Sequence, residues 1–303
     1  AVETATAAQS EWGQTSLQHR HDLLRRVAQN LRERRGDLIA AMVADGGKTV
    51  LEADPEVSEA IDFCEFYPLT VDHWHRQSAI KLEPRGNLAV VTPWNFPLAI
   101  PCGGIAAALA AGNCVLLKPA SETVLVAWHL CQAFWDAGVP KDVLQFLPCA
   151  GRVAEAGWVK NPQIETVILT GGTSTAKRML SVRSDLHLLA ETGGKNATIV
   201  TSMADRDLAV KHVVQSAFGH SGQKCSATSL LLLENDVFDD KTFREMLADA
   251  VSSIRVGSSW DLSTKMGPLI KPPQAELNQG LKSLEDDESW LVIPEHIVDN
   301  PNL

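Results

Sequence analysis

Between positions 23 and 42 apolar side chains return every three or four residues. Leu23, Leu24, Val27, Leu31, Leu38, Ile39 and Met42 stand among charged neighbours, the spacing of an amphipathic helix. The pattern predicts one helix over residues 23–44, stopped by Gly46 and Gly47. A second is expected over about 53–74, with Pro55 near its start, where a missing N–H costs least. From Asn87 the texture changes to short, continuous apolar runs at 88–91, 114–117, 144–147, 166–169 and 186–189. Helix-compatible stretches, such as 105–111 and 124–137, lie between them. Runs without polar alternation mark strands buried on both faces. Strands alternating with helices predict a parallel α/β sheet with helices on both sides. Ligands of such sheets bind beyond the carboxyl ends of the strands. After Glu191 come a Gly193-Gly194 turn, a strand over 197–200, a helix over 205–218 and a loop carrying Cys225. A domain boundary is therefore expected near 191–194, separating 1–191 from 192–303. The second block is small for an α/β domain, and the acidic, irregular stretch 285–303 has no closing element. The chain is expected to continue past its C-terminus, and an extension before its N-terminus is left open.

Residues 88–117 hold no charged side chain. They are interrupted by Pro93, Pro97, Pro101, Gly103, Gly104 and Gly112, so the run reads as strand, loop, helix and strand rather than a membrane span. Residues 1–9 are small and polar, without the basic start of a secretory leader. The composition, 45% hydrophobic and 21% charged, is that of a globular chain, and the formal net charge of −10 excludes a basic nucleic-acid footprint. Arg32, Arg34 and Arg35 are read as a solvated helix face. Six cysteines without a Cys-x-x-Cys pair fit a reducing, cytoplasmic setting better than a disulfide scaffold. His73 and His75 lack a third ligand nearby in sequence, so no metal site is expected.

Five segments carry candidate chemistry. In Thr92-Pro93-Trp94-Asn95-Phe96-Pro97, directly after a strand, the Asn95 amide could donate to a developing oxyanion or simply satisfy a turn. Lys118-Pro119-Ala120-Ser121-Glu122 follows the next strand. There Lys118 could face a ribose or phosphate, or sit on the surface with Ser121 capping the following helix. Thr170-Gly171-Gly172-Thr173-Ser174 joins a strand to a helix whose free N–H groups favour phosphate, or it is a plain turn. No Gly-x-Gly-x-x-Gly occurs. Glu191, before Gly193-Gly194, is either a buried carboxylate with a raised pKa that activates water or an ion-pair partner. Cys225, in Gly222-Gln223-Lys224-Cys225-Ser226-Ala227, is either a nucleophile or one more inert small hydrophobe like the other five. Lys224 beside it would lower its pKa if the charge points inward.

Taken together and in this order, these segments resemble the aldehyde dehydrogenase superfamily. The matching pieces are Pro93-Trp94-Asn95-Phe96, Lys118-Pro119-Ala120, Thr170-Gly171-Gly172, Glu191-Thr192-Gly193-Gly194-Lys195-Asn196, Gly222-Gln223-Lys224-Cys225 and Met266-Gly267-Pro268-Leu269. The likeness runs from about residue 10 to about 280. Gly-Gln-Lys-Cys-Ser-Ala is most similar to the branch that oxidises 1-pyrroline-5-carboxylate (glutamate semialdehyde), which includes the dehydrogenase domain of bifunctional proline-utilisation proteins. The resemblance implies a Rossmann-type dinucleotide-binding domain over 1–191, followed by the N-terminal part of an α/β catalytic domain over 192–303.

It also implies roles. Cys225 attacks the aldehyde, the Asn95 amide and the Cys225 N–H hold the oxyanion, and Glu191 activates the water that hydrolyses the thioester. Thr92, Pro93, Trp94, Lys118, Ser121, Gly171, Gly172, Thr173, Ser174 and Gly193 would bind the cofactor. Phe96, Lys224 and Ser226 would meet the substrate, an ammonium and a hydroxyl suiting its carboxylate. Sulfur, amide and carboxyl are expected to share one pocket. The cofactor implied is NAD. Ser121, where many NAD-preferring members carry Glu, leaves NADP open, and Gly172 replaces a common Ser. The implied partner is a small aldehyde, with no nucleic acid and no membrane, in a homo-oligomeric parent. The family's Glu-x-Phe-Gly-Pro segment does not occur in the 303 residues. Two alternatives therefore stay open: oxidation of another aldehyde such as succinic semialdehyde, and a truncated, non-catalytic binding module.

Overall fold

The computed structural model describes residues 1–295. The chain divides into two compact units. One comprises Ala1–Gly46 and Ala53–Gly193; the other comprises Gly47–Glu52 and the chain from Gly194 onward.

The first unit opens with helices α1 (Val2–Gln14), α2 (Leu17–Glu33) and α3 (Arg35–Gly46), and takes in most of α4 (Val50–His75). It continues as β1 (Asn87–Val91), α5 (Ala99–Ala110), β2 (Cys114–Lys118), α6 (Val124–Asp136), β3 (Leu144–Phe146), α7 (Gly151–Ala154), β4 (Ile164–Gly171), α8 (Thr173–Val182) and β5 (His187–Thr192). The five strands form one sheet in the order β3-β2-β1-β4-β5, and every pairing is parallel. The apolar runs at 88–91 and 114–117 are buried along their length, as fully covered parallel strands must be. Helix α5 is apolar all round and packs against them. Its glycines set how closely it packs, Gly104 on β1 and Gly103 on α4. A Cβ on Gly104 would meet Val90 Cγ1 at 2.9 Å, and one on Gly103 would meet the Phe63 ring at 3.1 Å. Among the described residues no helix is long and apolar enough to cross a membrane.

Several expectations are corrected. The helix predicted over 23–44 is two helices, because the chain bends at Arg34 (φ −95°, ψ 11°). Helix α4 begins at Val50, so Pro55 lies a full turn inside it. Its true start is closed by the glutamate half of a capping box: Thr49 N–H donates to Glu52 Oε2 at 2.9 Å, while Glu52 N–H donates to the Thr49 backbone carbonyl at 3.1 Å. Arg32, Arg34 and Arg35 are not merely solvated; they pair with Glu65, Asp136 and Asp54. The strand expected to end at 189 runs on to Thr192, so Glu191 lies inside β5. That strand is the last of its sheet and mostly exposed, not buried on both faces.

The second unit contains β6 (Asn196–Val200), α9 (Arg206–Phe218), β7 (Thr228–Leu233), α10 (Asn235–Phe238), α11 (Lys241–Ser252) and α12 (Ala275–Gly280). Asp205 caps α9 through Leu208 N–H at 2.9 Å. Strands β6 and β7 pair in parallel and pack one face on a small core of Val200, Val210, Val213, Val237, Phe243 and Leu247. The acidic stretch predicted to be irregular carries no helix or strand over 285–295; its remainder lies outside the described residues.

Candidate active site

Parallel pairing places the carboxyl ends of the first unit's strands on one edge of the sheet. Val91 aligns with Lys118 on one side and Leu169 on the other, and Thr170 aligns with Glu191. That edge collects the Thr92–Phe96 loop, Lys118, the Gly171–Ser174 turn that opens α8, and Glu191. The Thr92 N–H donates to the Lys118 carbonyl at 3.2 Å, extending the β1–β2 ladder into the loop.

The Thr92–Phe96 loop is anchored from behind. Glu56, buried on α4, accepts from Leu98 N–H at 2.8 Å and Ala99 N–H at 3.1 Å through one oxygen. A carboxylate on the unsatisfied N–H groups of α5 is the most stabilising partner available to a buried helix start. It fixes where the loop ends. Thr92 is buried, while Pro93, Trp94, Asn95 and Phe96 are half-buried. Lys118 is half-buried, and its Nζ donates to the Pro119 carbonyl at 3.1 Å. Ser121 does not cap the following helix. Asp45 does, accepting from Leu125 N–H at 2.9 Å. Ser121 instead lines an open recess of about 480 Å³ with Glu122, Trp128 and Phe146. Trp128 and Phe146 lie with ring centroids 5.5 Å apart there.

Gly172 precedes α8 without a side-chain cap, so the first N–H groups of that helix face outward beside exposed Thr173 and Ser174. Gly193 is exposed, and nothing stands within 4 Å of where its Cβ would be. These features fit an anionic, ring-bearing dinucleotide: uncapped amides at α8, a lysine for phosphate or ribose, and an aromatic-walled recess after β2. Glu191 is exposed because its strand is at the sheet's edge, which removes the buried-carboxylate reading of the two left open.

In the second unit, Cys225 sits on the loop between α9 and β7. Of the six thiols, those of Cys64, Cys102, Cys114 and Cys131 are buried, that of Cys149 is half-buried and that of Cys225 is exposed. Burial pushes the Cys114 thiol up to about 12 and raises those of Cys102 and Cys131 as well. Those three stay protonated and inert. His73 and His75 are both exposed at the end of α4, and no cluster of three metal-binding side chains occurs among the described residues.

The loop before Cys225 has an unusual backbone. His220 (φ 52°, ψ 39°) and Ser221 (φ 57°, ψ 33°) are consecutive left-handed residues, neither of them glycine. Each costs about 1–3 kcal/mol unless its surroundings impose it. Here they do. His220 N–H donates to Glu52 Oε1, and the Ser221 hydroxyl donates to the Gly267 carbonyl at 2.6 Å. Gln223 accepts from Ile270 N–H at 2.9 Å and donates to the His220 carbonyl at 3.1 Å. Beyond the cysteine, Asn196 Nδ2 donates to the carbonyls of Cys225 at 2.6 Å and Ala227 at 3.0 Å. The Met266–Leu269 motif is explained by this support. A Cβ on Gly267 would stand 2.7 Å from the Gly47 carbonyl, so only glycine fits. Lys224 is half-buried, its Nζ 3.2 Å from where a Gly219 Cβ would lie, and Ser226 is exposed. Desolvation, and then the charges of Lys48 and Lys224, push the buried His220 imidazole down to about 3.

Sequence reading missed Glu52 and Glu56, and quoted Asn196 only as the end of a motif, without a role. Of the first two, Glu52 alone had a local signal, the Thr-x-x-Glu spacing at 49–52.

The fold and the motif placement agree with the match of residues 1–294 to the aldehyde dehydrogenase family, and the chain belongs to that family. Among curated relatives, it is 35% identical over 305 residues to 1-pyrroline-5-carboxylate dehydrogenase of Anoxybacillus flavithermus, covering 94% of this chain and 58% of that protein. It is 38% identical over 279 residues to the bifunctional protein PutA of Salmonella typhimurium, covering 89% of this chain and 21% of that protein. Among solved structures, proline utilization A from Corynebacterium freiburgense superposes with a TM-score of 0.93 at 41% identity, over 100% of this chain and 31% of that one. The 1-pyrroline-5-carboxylate dehydrogenase from Thermus with bound NAD gives 0.84 at 33% identity, over 92% and 57%. The chain thus spans little more than half the length of the single-function relatives it matches.

Proposed function

We propose that this chain carries the nucleotide-binding and nucleophile-bearing parts of an enzyme that oxidises L-glutamate γ-semialdehyde to L-glutamate with NAD. The observation that carries the reading is Cys225, an exposed thiol on a loop held at both ends by hydrogen bonds, while four of the other five are buried. A reactive cysteine needs access and a fixed direction of attack. Cys225, having lost its thiol proton to solvent, adds as thiolate to the aldehyde carbon to give a thiohemiacetal, whose oxyanion receives hydrogen bonds from the Asn95 amide and the Cys225 N–H. When bound, the nicotinamide supplies the hydride acceptor. Glu191 takes a proton from the water that cleaves the resulting thioester, and an exposed carboxylate is open to solvent for that task.

Lys118, Ser121, Gly171, Gly172, Thr173, Ser174 and Gly193, with Thr92, Pro93 and Trp94, form the cofactor side. Ser121 at the recess brings no charge against a 2′-phosphate, which leaves NADP as a second candidate cofactor, although Glu122 lines the same recess. Phe96, Lys224 and Ser226 form the substrate side, the last two suited to a carboxylate.

The test is Cys225→Ser in the full-length protein, with NADH formation followed at 340 nm. Turnover is expected to fall by at least about 10³-fold while NAD binding by calorimetry persists. Undiminished turnover removes covalent catalysis. A panel including succinic semialdehyde fixes the substrate, and equal kcat/KM for all aldehydes would reject the amino-acid aldehyde.

A further inference from the structure

Helix α4 begins with a carboxylate that has two tasks. Glu52 Oε2 closes the helix's own capping box on Thr49 N–H, while Oε1 accepts the N–H of His220. His220 is the first of the two left-handed residues that turn the chain toward Gly222-Gln223-Lys224-Cys225. It is also buried, leaving its amide no access to water. The same segment gives a second contact, since the Ser259 hydroxyl donates to the Gly47 carbonyl, against which Gly267 packs. A helix cap needs one oxygen; the other, spent on a strained backbone 168 positions away, is not required for the helix.

We infer that Glu52 is a positioning residue for Cys225: its carboxylate, shared between the α4 cap and the His220 amide, fixes the left-handed turn that aims the thiol. This role rests on Cys225 being the nucleophile. Two acceptor oxygens are needed, one for each N–H. Glutamine, with the same shape, has a single acceptor oxygen and an NH2 that would confront the other donor. The geometry therefore separates the clamp from simple space-filling. Glu52 touches neither substrate nor reacting atoms; it acts through the backbone of residues 220–225.

The experiment compares Glu52→Gln with wild type in the full-length protein loaded with NAD and mixed with L-glutamate γ-semialdehyde. The first-turnover rate of NADH formation, per titrated Cys225 thiol, is expected to fall about 10²-fold, the cost of a misplaced nucleophile. The KM for NAD should stay within about twofold, since Glu52 is no part of the nucleotide side. Amide hydrogen exchange over residues 219–225 should accelerate by at least about tenfold. A merely structural role would lower the melting temperature and the folded yield but leave the first-turnover rate per thiol unchanged, and that result overturns the inference. Should Glu52→Gln not fold, Glu52→Asp keeps charge and both oxygens but withdraws them by one methylene. It carries the same expectations, and wild-type first-turnover and exchange rates in it overturn the inference equally. Wild-type behaviour of the Glu52 variant beside a dead Cys225→Ser removes only the positioning role. An active Cys225→Ser removes the reading beneath it.

Discussion

His220 shows how much a single residue can reveal about the cysteine loop. Its imidazole is buried beside Lys48 and Lys224, and its pKa sits near 3 against an ordinary 6.5. The folded state therefore refuses a proton that the unfolded chain accepts between those values. Stability conferred by the neutral ring is complete above about pH 6.5 and is lost as the pH falls toward 3. The expected slope from this one group approaches about 1.4 kcal/mol per pH unit at its steepest. Urea midpoints between pH 7.5 and 5 should fall in wild type and flatten in His220→Gln; parallel curves would reject the assignment. None of this was legible in the sequence, where His220 is one of nine histidines in an unremarked position. That Cys225 stands in a loop apart from the buried thiols was legible, because glycines, Gln223, Lys224 and Ser226 surround it, whereas Cys114 and Cys131 lie in predicted strand and helix. Glu191 was legible as a residue but not in its surroundings, since exposure at a sheet edge depends on which strands pair.

At the scale of elements, the strands were readable and their supports were not. Apolar runs at 88–91 and 114–117 announce buried parallel strands because they are short, rich in Val and Leu and bounded by turn residues, whereas a buried helix such as α5 runs longer. The breaks in helices were harder: at Arg34 the apolar period continues across the bend. Helix α1, with a weak apolar stripe, and strand β7 were not anticipated. Least readable were the carboxylates of α4, whose partners lie far away in sequence. Glu56 holds the start of α5 at Leu98 and Ala99, and with it the end of the Asn95 loop. Replacing Glu56 by Ala leaves two buried N–H groups without an acceptor. It should cost about 1–3 kcal/mol per group in unfolding free energy. Hydrogen exchange should be faster at Leu98 and Ala99 than at the amides of β2; unchanged protection there would show that α5 holds the loop without Glu56.

At the scale of the molecule, the two units differ in how finished they are. The first encloses β1, β2 and β4 between helices. In the second, register pairs Ala197 with Leu230 and Ile199 with Leu232. These four point away from the small core on the opposite face, and Ile199 is 70% exposed, Leu230 51% and Leu232 45%. Parallel strands are ordinarily covered on both sides, and two strands alone hold little stability. An apolar stripe of this kind sets the handling properties of the isolated 303-residue polypeptide. At high concentration, copies of this polypeptide are expected to pair through these stripes and clump. Light scattering should register that clumping, and Ile199→Lys should suppress it by placing a charge in the middle of the stripe. Clear solutions of the unaltered polypeptide at millimolar concentration would mean that the stripe is harmless.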